Sequence, residues 1–248
     1  MGPVLETVSL TKFYGMVRAA EDLNIRIGEG ELVGIVGPNG SGKTTFLNLV
    51  TGYVKPDRGR VRYRGQDITG LPPRAVADLG LARSFQMPQL YAGLTAQENL
   101  LLALAVRSGK AGAFWSPLGR RAWVEEAQHI LEQFGLDGYA PQGAGQLPEG
   151  ARKLLDIALS FARRPQVLLM DEPTSGVSGK EKFGIMDTLV RVLKESGVTT
   201  VFVEHDMEVI HRYAERALVF NEGKVIADGP PESLLADPSV KRAILGRE

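Results

Sequence analysis

The pattern of apolar and polar positions along this chain changes its rhythm twice. The first third carries the short rhythm of strands. Leu5, Val8 and Leu10 fall in one apolar segment, and Leu23, Ile25 and Ile27 alternate in a second. Leu32-Val33-Gly34-Ile35-Val36 is an unbroken apolar run that stops at a glycine-rich turn, the pattern of a buried strand. Thr44 to Val50 reads as a helix with Gly52 as its C-cap. Val61 and Tyr63 mark a further strand before the turn-prone stretch Gly65 to Gly70.

In the middle third the spacing lengthens to that of helices. Thr95-Ala96-Gln97-Glu98 has the spacing of a capping box, and Leu100 to Val106 follows it as a helix. Val124 to Phe134 reads as an amphipathic helix. Between the two lies a glycine-rich loop, Ser108 to Gly119, with Phe114 and Trp115. Leu154, Leu155, Ala158, Leu159 and Phe161 give a third helix a broad apolar face. The last third alternates. Val167 to Met170, Thr199 to Val203 and Ala217 to Phe220 read as strands; Lys180 to Lys194 and Met207 to Ala214 read as helices. Such alternation predicts βαβ units and a mostly parallel sheet. The expectation is an α/β core interrupted by a helical insert from about Gln86 to Phe161.

Composition narrows the classes. At 248 residues the chain can bury a full core. Lys plus Arg and Asp plus Glu both number 29, so no net charge favours nucleic acid, and none is expected as a partner. The absence of cysteine excludes disulfides and thiolate metal sites. The N-terminus lacks a basic stretch followed by an apolar one, and Glu6 breaks the myristoylation pattern. No apolar run approaches the ~18 residues needed to span a bilayer, so a membrane role is expected to come through a partner.

Gly37-Pro38-Asn39-Gly40-Ser41-Gly42-Lys43-Thr44 fits the P-loop pattern in full, with a strand before it and a helix after. Glycines let backbone N–H groups approach phosphate oxygens, and the helix start adds the positive end of its dipole. Lys43 is expected to reach the β- and γ-phosphates, the Thr44 hydroxyl to hold Mg²⁺, and Thr45 to complete the nucleotide site. The strand Val167 to Met170 ends in Asp171-Glu172. Strand ends of a parallel sheet share one edge, so Asp171 should face the same ligand as Thr44 and hold Mg²⁺, with Glu172 as general base. His129 and His211 fall in helical patterns and read as surface residues.

With the P-loop and both acids in this order, the chain resembles the nucleotide-binding subunits of ATP-binding-cassette (ABC) transporters, from about Leu5 to Gly246. It looks most like those serving importers of branched-chain amino acids and related small polar solutes. That narrower likeness lies in Leu81-Ala82-Arg83-Ser84-Phe85-Gln86, the insert around Trp115, and the tail Gly223 to Gly246. The resemblance implies one nucleotide-binding domain over 1–248. Its RecA-like P-loop NTPase core, with an N-terminal antiparallel β part, would occupy 1–85 and 162–248, and a helical subdomain 86–161. It implies an ATPase using ATP and Mg²⁺, peripheral at the cytoplasmic face of the membrane. Its partners would be permease subunits, a second ATPase subunit and an upstream solute-binding protein. Tyr14 matches the aromatic that stacks on adenine. Gln86 matches the glutamine that touches Mg²⁺ and water and links the site to the membrane subunits. His205 matches the histidine that contacts the γ-phosphate.

The family signature Leu-Ser-Gly-Gly-Gln corresponds here to Leu147-Pro148-Glu149-Gly150-Ala151. In the family this segment closes over ATP held by the partner subunit. Here the serine hydroxyl is replaced by proline, and Glu149 brings a carboxylate toward a phosphate position. Ser178 stands where most members have Asp. These departures favour pairing with a different ATPase subunit over a homodimer. Three readings stay beside the motor: an ATP-holding subunit with little hydrolysis, a non-transport ABC ATPase, and a P-loop kinase of small metabolites. The kinase leaves Gln86, Asp171, Glu172 and His205 unexplained as a set.

Overall fold

The computed structural model describes residues 2–108 and 120–245. The chain opens with β1 (Leu5–Tyr14), β2 (Val17–Leu23) and β3 (Arg26–Ile27), then passes through β4 (Leu32–Val36) into α1 (Lys43–Val50). It returns as β5 (Arg58–Tyr63) and β6 (Gln66–Asp67), followed by α2 (Pro73–Asp78) and β7 (Leu81–Ser84). Three helices follow: α3 (Ala96–Arg107), α4 (Arg121–Gln133) and α5 (Glu149–Ala162). β8 (Val167–Asp171), α6 (Glu181–Glu195), β9 (Thr199–Val203), α7 (Met207–Tyr213) and β10 (Arg216–Asn221) alternate. β11 (Lys224–Gly229), α8 (Pro231–Ala236) and α9 (Pro238–Leu245) complete the described chain.

Two sheets result. β1 pairs antiparallel with β2, β3 and β5, and β5 with β6. The larger sheet runs in the order β11-β10-β4-β9-β8-β7, parallel from β10 to β7 with β11 antiparallel at one edge. The expected α/β architecture with an antiparallel N-terminal part is therefore present. The buried strands β4, β8 and β9 send alternate residues to opposite faces. Val167, Leu169, Val201 and Val203 join Phe46, Leu47 and the antiparallel sheet in one cluster. Leu168, Met170 and Phe202 join Leu100, Leu131, Phe134 and Leu155 of the helical insert in the other. Each fully buried large apolar side chain contributes roughly 1.5–3 kcal/mol, so the insert is held to the sheet by a shared core.

Local signals explain the element ends, with some shifts. Thr95 caps α3: its Oγ1 accepts the Glu98 N–H at 3.1 Å, and Glu98 Oε2 accepts the Thr95 N–H at 2.8 Å. Thr51, not Gly52, caps α1, with Gly52 left-handed just beyond it. Val8, part of the apolar segment from Leu5 to Leu10, is exposed. Ser9 adopts φ +46 and breaks the strand alternation, so Leu10 and Thr11 are both buried. The loop with Phe114 and Trp115 lies outside the described residues, as does Gly246.

Candidate functional site

β4 is buried along its whole length and delivers Gly37 to the carboxyl edge of the large sheet. From there the chain turns into α1, with Gly42 as the N-cap at φ +103. A Cβ on Gly42 would stand 2.3 Å from the Ala19 carbonyl oxygen, and one on Gly37 would stand 2.1 Å from that of Phe220. Only glycine permits this close folding of the loop. The Lys43 side chain curls back across the loop and donates to the carbonyls of Gly37 at 2.6 Å and Pro38 at 2.9 Å. Burial lowers the Lys43 pKa, opposed by the nearby Glu172 and Asp171 charges. Ser41 Oγ is buried with no hydrogen-bond partner. Asn39, Gly40 and Thr44 are exposed, and Pro38 and Thr45 half-buried. A fixed ammonium, an unpaired hydroxyl and the free N–H groups of a helix start form a cradle whose chemistry fits phosphate.

β9 lies between β4 and β8, all parallel, so the acids at the end of β8 share an edge with this cradle. Asp171 is buried, and its Oδ2 accepts Nη2 of Arg83 at 2.7 Å. Arg83 Nη1 also donates to Oδ1 of Asn48 on α1 at 2.5 Å, and the guanidinium lies 4.9 Å from the Phe85 ring centre. Arg83 thus ties β7, β8 and α1 together at the edge. The sequence marked it only as part of a likeness, because no spacing rule links a strand-end Arg to an Asp on another strand.

Glu172 breaks from the strand into the left-handed region at φ +51. Its two carboxylate oxygens are both engaged. Gln86 Nε2 donates to Oε2 at 2.6 Å, and His205 Nε2 lies 2.5 Å from Oε1. Gln86 comes from the segment after β7 and His205 from the turn after β9, so residues 86, 172 and 205 converge on one carboxylate. Glu204, beside His205, is a second buried acid. It accepts the Thr174 N–H at 2.9 Å and the Thr174 hydroxyl at 2.7 Å. Burial nonetheless holds its pKa up, and the Glu172 charge adds to that. An acid directly after the apolar run of β9 was the available signal for it.

Tyr14 stands apart. It ends β1, 47% exposed, with the Lys12 ammonium 5.7 Å from its ring centre. Among the described residues no hydrogen bond or ring contact joins it to the cradle. The exposed positions of His129 and His211 match their surface reading.

Pro148 is the N-cap of α5, and Glu149 forms an ion pair with Arg152 one turn on. The carboxylate expected to repel phosphate is thereby partly neutralised within its own helix. Gly150 has a packing reason of its own: a Cβ there would meet Glu181 Oε1 at 2.5 Å and Ile185 Cδ1 at 3.1 Å on α6. Thr44, Asp171 and the side-chain oxygen of Gln86 are hard oxygen donors of the kind Mg²⁺ takes. Among the described residues no group of three or more His, Cys, Asp or Glu forms a metal site by itself. Phosphate oxygens would complete the coordination.

Comparison with known proteins adds four findings. Residues 20–175 match the model of the ABC transporter family. The chain is 36% identical, over 98% of both chains, to the high-affinity branched-chain amino acid transport ATP-binding protein BraF of Pseudomonas aeruginosa. Its structure superposes on the ADP conformation of MJ1267, an ATP-binding cassette of an ABC transporter, with TM-score 0.88, 31% identity and full coverage of both chains. It also superposes on the dimeric cassette MJ0796 bound to ADP and Pi, with TM-score 0.78 and 29% identity over 92% of this chain and 98% of that one.

Proposed function

The chain belongs to the ABC transporter family as an ATP-binding, ATP-hydrolysing subunit, and from that premise we propose that it energises import of branched-chain amino acids or related small polar solutes. The observation that carries the chemistry is the Glu172 carboxylate held between Gln86 and His205, on the sheet edge that also bears the Lys43 cradle. The solute class rests on the end-to-end likeness to BraF, whose name states it.

In this reading Gly37 to Thr45 hold the triphosphate. Backbone N–H groups and Ser41 Oγ take its oxygens, Lys43 meets the β- and γ-phosphates, and Tyr14 faces the adenine. Thr44, Asp171 and Gln86 would hold Mg²⁺, which when bound neutralises charge on the phosphates. Arg83 holds the Asp171 carboxylate in place by one oxygen. Glu172 takes the proton of the attacking water. His205 orients that carboxylate from the side of β9. Gln86 donates its amide N–H to Glu172 and keeps its amide oxygen for water or metal.

Residues 1–85 and 162–248 act as the ATP core and 86–161 as the helical arm that moves with a partner. A cleft of about 290 Å³ beside the Gln86 segment is lined by Tyr53, Ala77, Phe85 and Val106 among others. Tyr53, Met87, Tyr91 and Val106 leave apolar surface exposed near it. In this reading the face meets the permease subunits, the chain sits peripherally at the cytoplasmic side of the membrane, and a solute-binding protein acts upstream; the exposed apolar side chains support it. No helix among the described residues is long and apolar enough to cross a membrane. A second ATPase subunit completes the closed state. A different subunit remains the favoured partner because Pro148 supplies no hydroxyl. The Glu149–Arg152 pair weakens the charge argument and keeps a homodimer as the alternative.

Uptake of labelled leucine by cells carrying Lys43→Ala in place of the native chain tests the reading. A loss of more than about tenfold is expected, with loss of ATP binding by the purified variant. Unchanged leucine uptake would remove the solute assignment; unchanged ATP affinity would remove the cradle.

A further inference from the structure

Helix α5 grips the segment that carries Gln86. Lys153, Asp156 and Ser160 stand at i, i+3 and i+7 and so form one stripe of the helix. Each side chain holds a different point on the chain leaving β7. Ser160 Oγ donates to the Arg83 carbonyl at 3.3 Å. Asp156 Oδ1 accepts the Gln89 N–H at 2.7 Å, and the nearby Phe85 N–H also lowers the pKa of the carboxyl. Lys153 Nζ donates to the Gln86 carbonyl. Its ammonium also donates to Ser175 Oγ at 2.9 Å, in the turn that follows Glu172. Lys153 is only 4% exposed and Asp156 only 6%.

Packing does not require these groups. Two buried charges cost desolvation energy, and well-packed apolar side chains at such positions are commonly as stable or more so. The polar stripe spends that energy on one short segment, and its central contact lies on the backbone of the residue that touches Glu172. The same helix begins at Leu147 to Gly150, the segment that in the proposed closed state meets a partner.

We propose that Lys153 and Asp156 are positioning residues that clasp the Gln86–Gln89 segment to α5, so that Gln86 follows this helix toward or away from Glu172. The inference rests on the role assigned to Gln86 above and adds the element that controls it. Displacing the start of α5 then moves the carbonyl of Gln86 directly, without passing through the sheet. A chain without the clasp keeps its phosphate cradle and its affinity for ATP, and loses turnover.

The test is a double-mutant cycle in the full chain: wild type, Lys153→Met, Gln86→Ala and the double variant, with Lys153→Arg as the conservative control. ATP affinity and steady-state kcat are read for each. Lys153→Met is expected to lower kcat about tenfold with ATP affinity within about twofold of wild type, and Lys153→Arg to restore most of it. In the Gln86→Ala background the same substitution should change kcat less than about twofold, because its effect runs through Gln86. Equal losses in both backgrounds, or an arginine variant no better than methionine, would overturn the clasp. Amide exchange at Phe85 to Gln89 is read on the same proteins. If the chain by itself shows no turnover, as pairing with a different subunit predicts, exchange decides the clasp. Faster exchange in Lys153→Met and in Asp156→Ala supports it, and unchanged protection overturns it.

Discussion

Glu172 occupies a left-handed backbone position, φ +51, where a non-glycine residue costs roughly 1–3 kcal/mol. The surrounding bonds hold it there: its N–H reaches the Val203 carbonyl at 3.0 Å, and its carboxylate is taken by Gln86 and His205. Strain kept in place at a sheet edge beside a phosphate cradle is consistent with a reacting group. Asp156 gives a separate test at this scale. Burial raises its pKa from 3.8 to about 6, against the pull of the Gln89 and Phe85 N–H groups and of Lys153. The folded chain therefore binds this proton more readily than the unfolded chain. The stability it contributes is complete below about pH 4 and is lost as pH rises through about 6. Between about pH 5 and pH 7 the wild type should lose about 1 kcal/mol more than Asp156→Asn, measured by urea unfolding at each pH. A difference of the opposite sign would contradict the burial of an ionisable Asp156.

At the scale of elements, the loop between β4 and α1 depends on the backbone freedom of Gly42. Gly42→Ala puts a Cβ against the Ala19 carbonyl at φ +103, and should destabilise the chain by about 2–4 kcal/mol in denaturant unfolding. A loss below about 0.5 kcal/mol would mean that the loop relaxes freely. This element was fully legible in the sequence, because glycine spacing, a preceding apolar run and a following helix are all local signals. The capping box at Thr95 was legible for the same reason. α2, β7 and β11 were not marked as elements, being short and without a clear period of their own. The Arg83–Asp171 pair and the stripe at Lys153, Asp156 and Ser160 were invisible for a different reason. They depend on which elements become neighbours, and helix spacing alone reads Lys153 and Asp156 as solvated charges. Gln86 and His205 were placed by resemblance, and only the fold brings them onto Glu172.

For the whole molecule, the large sheet sits between the antiparallel strands and the helical insert, and the site lies on its carboxyl edge. The phosphate cradle, Asp171, Glu172 and His205 are thus on the core, and Gln86 is on the segment tied to α5. The same division makes assembly testable. Light scattering of Glu172→Gln with ATP should show a monomer for this chain alone if a different subunit supplies the closing segment. A dimer of the chain by itself would show that Leu147 to Ala151 serves in a homodimer. The most direct test of the central claim is the identity of the nucleotide retained by Glu172→Gln after incubation with ATP and Mg²⁺, in the presence of its transporter partners. The account predicts intact ATP in the variant and ADP in the wild type, at similar occupancy. ADP formed at the wild-type rate in Glu172→Gln would contradict it and place the base elsewhere.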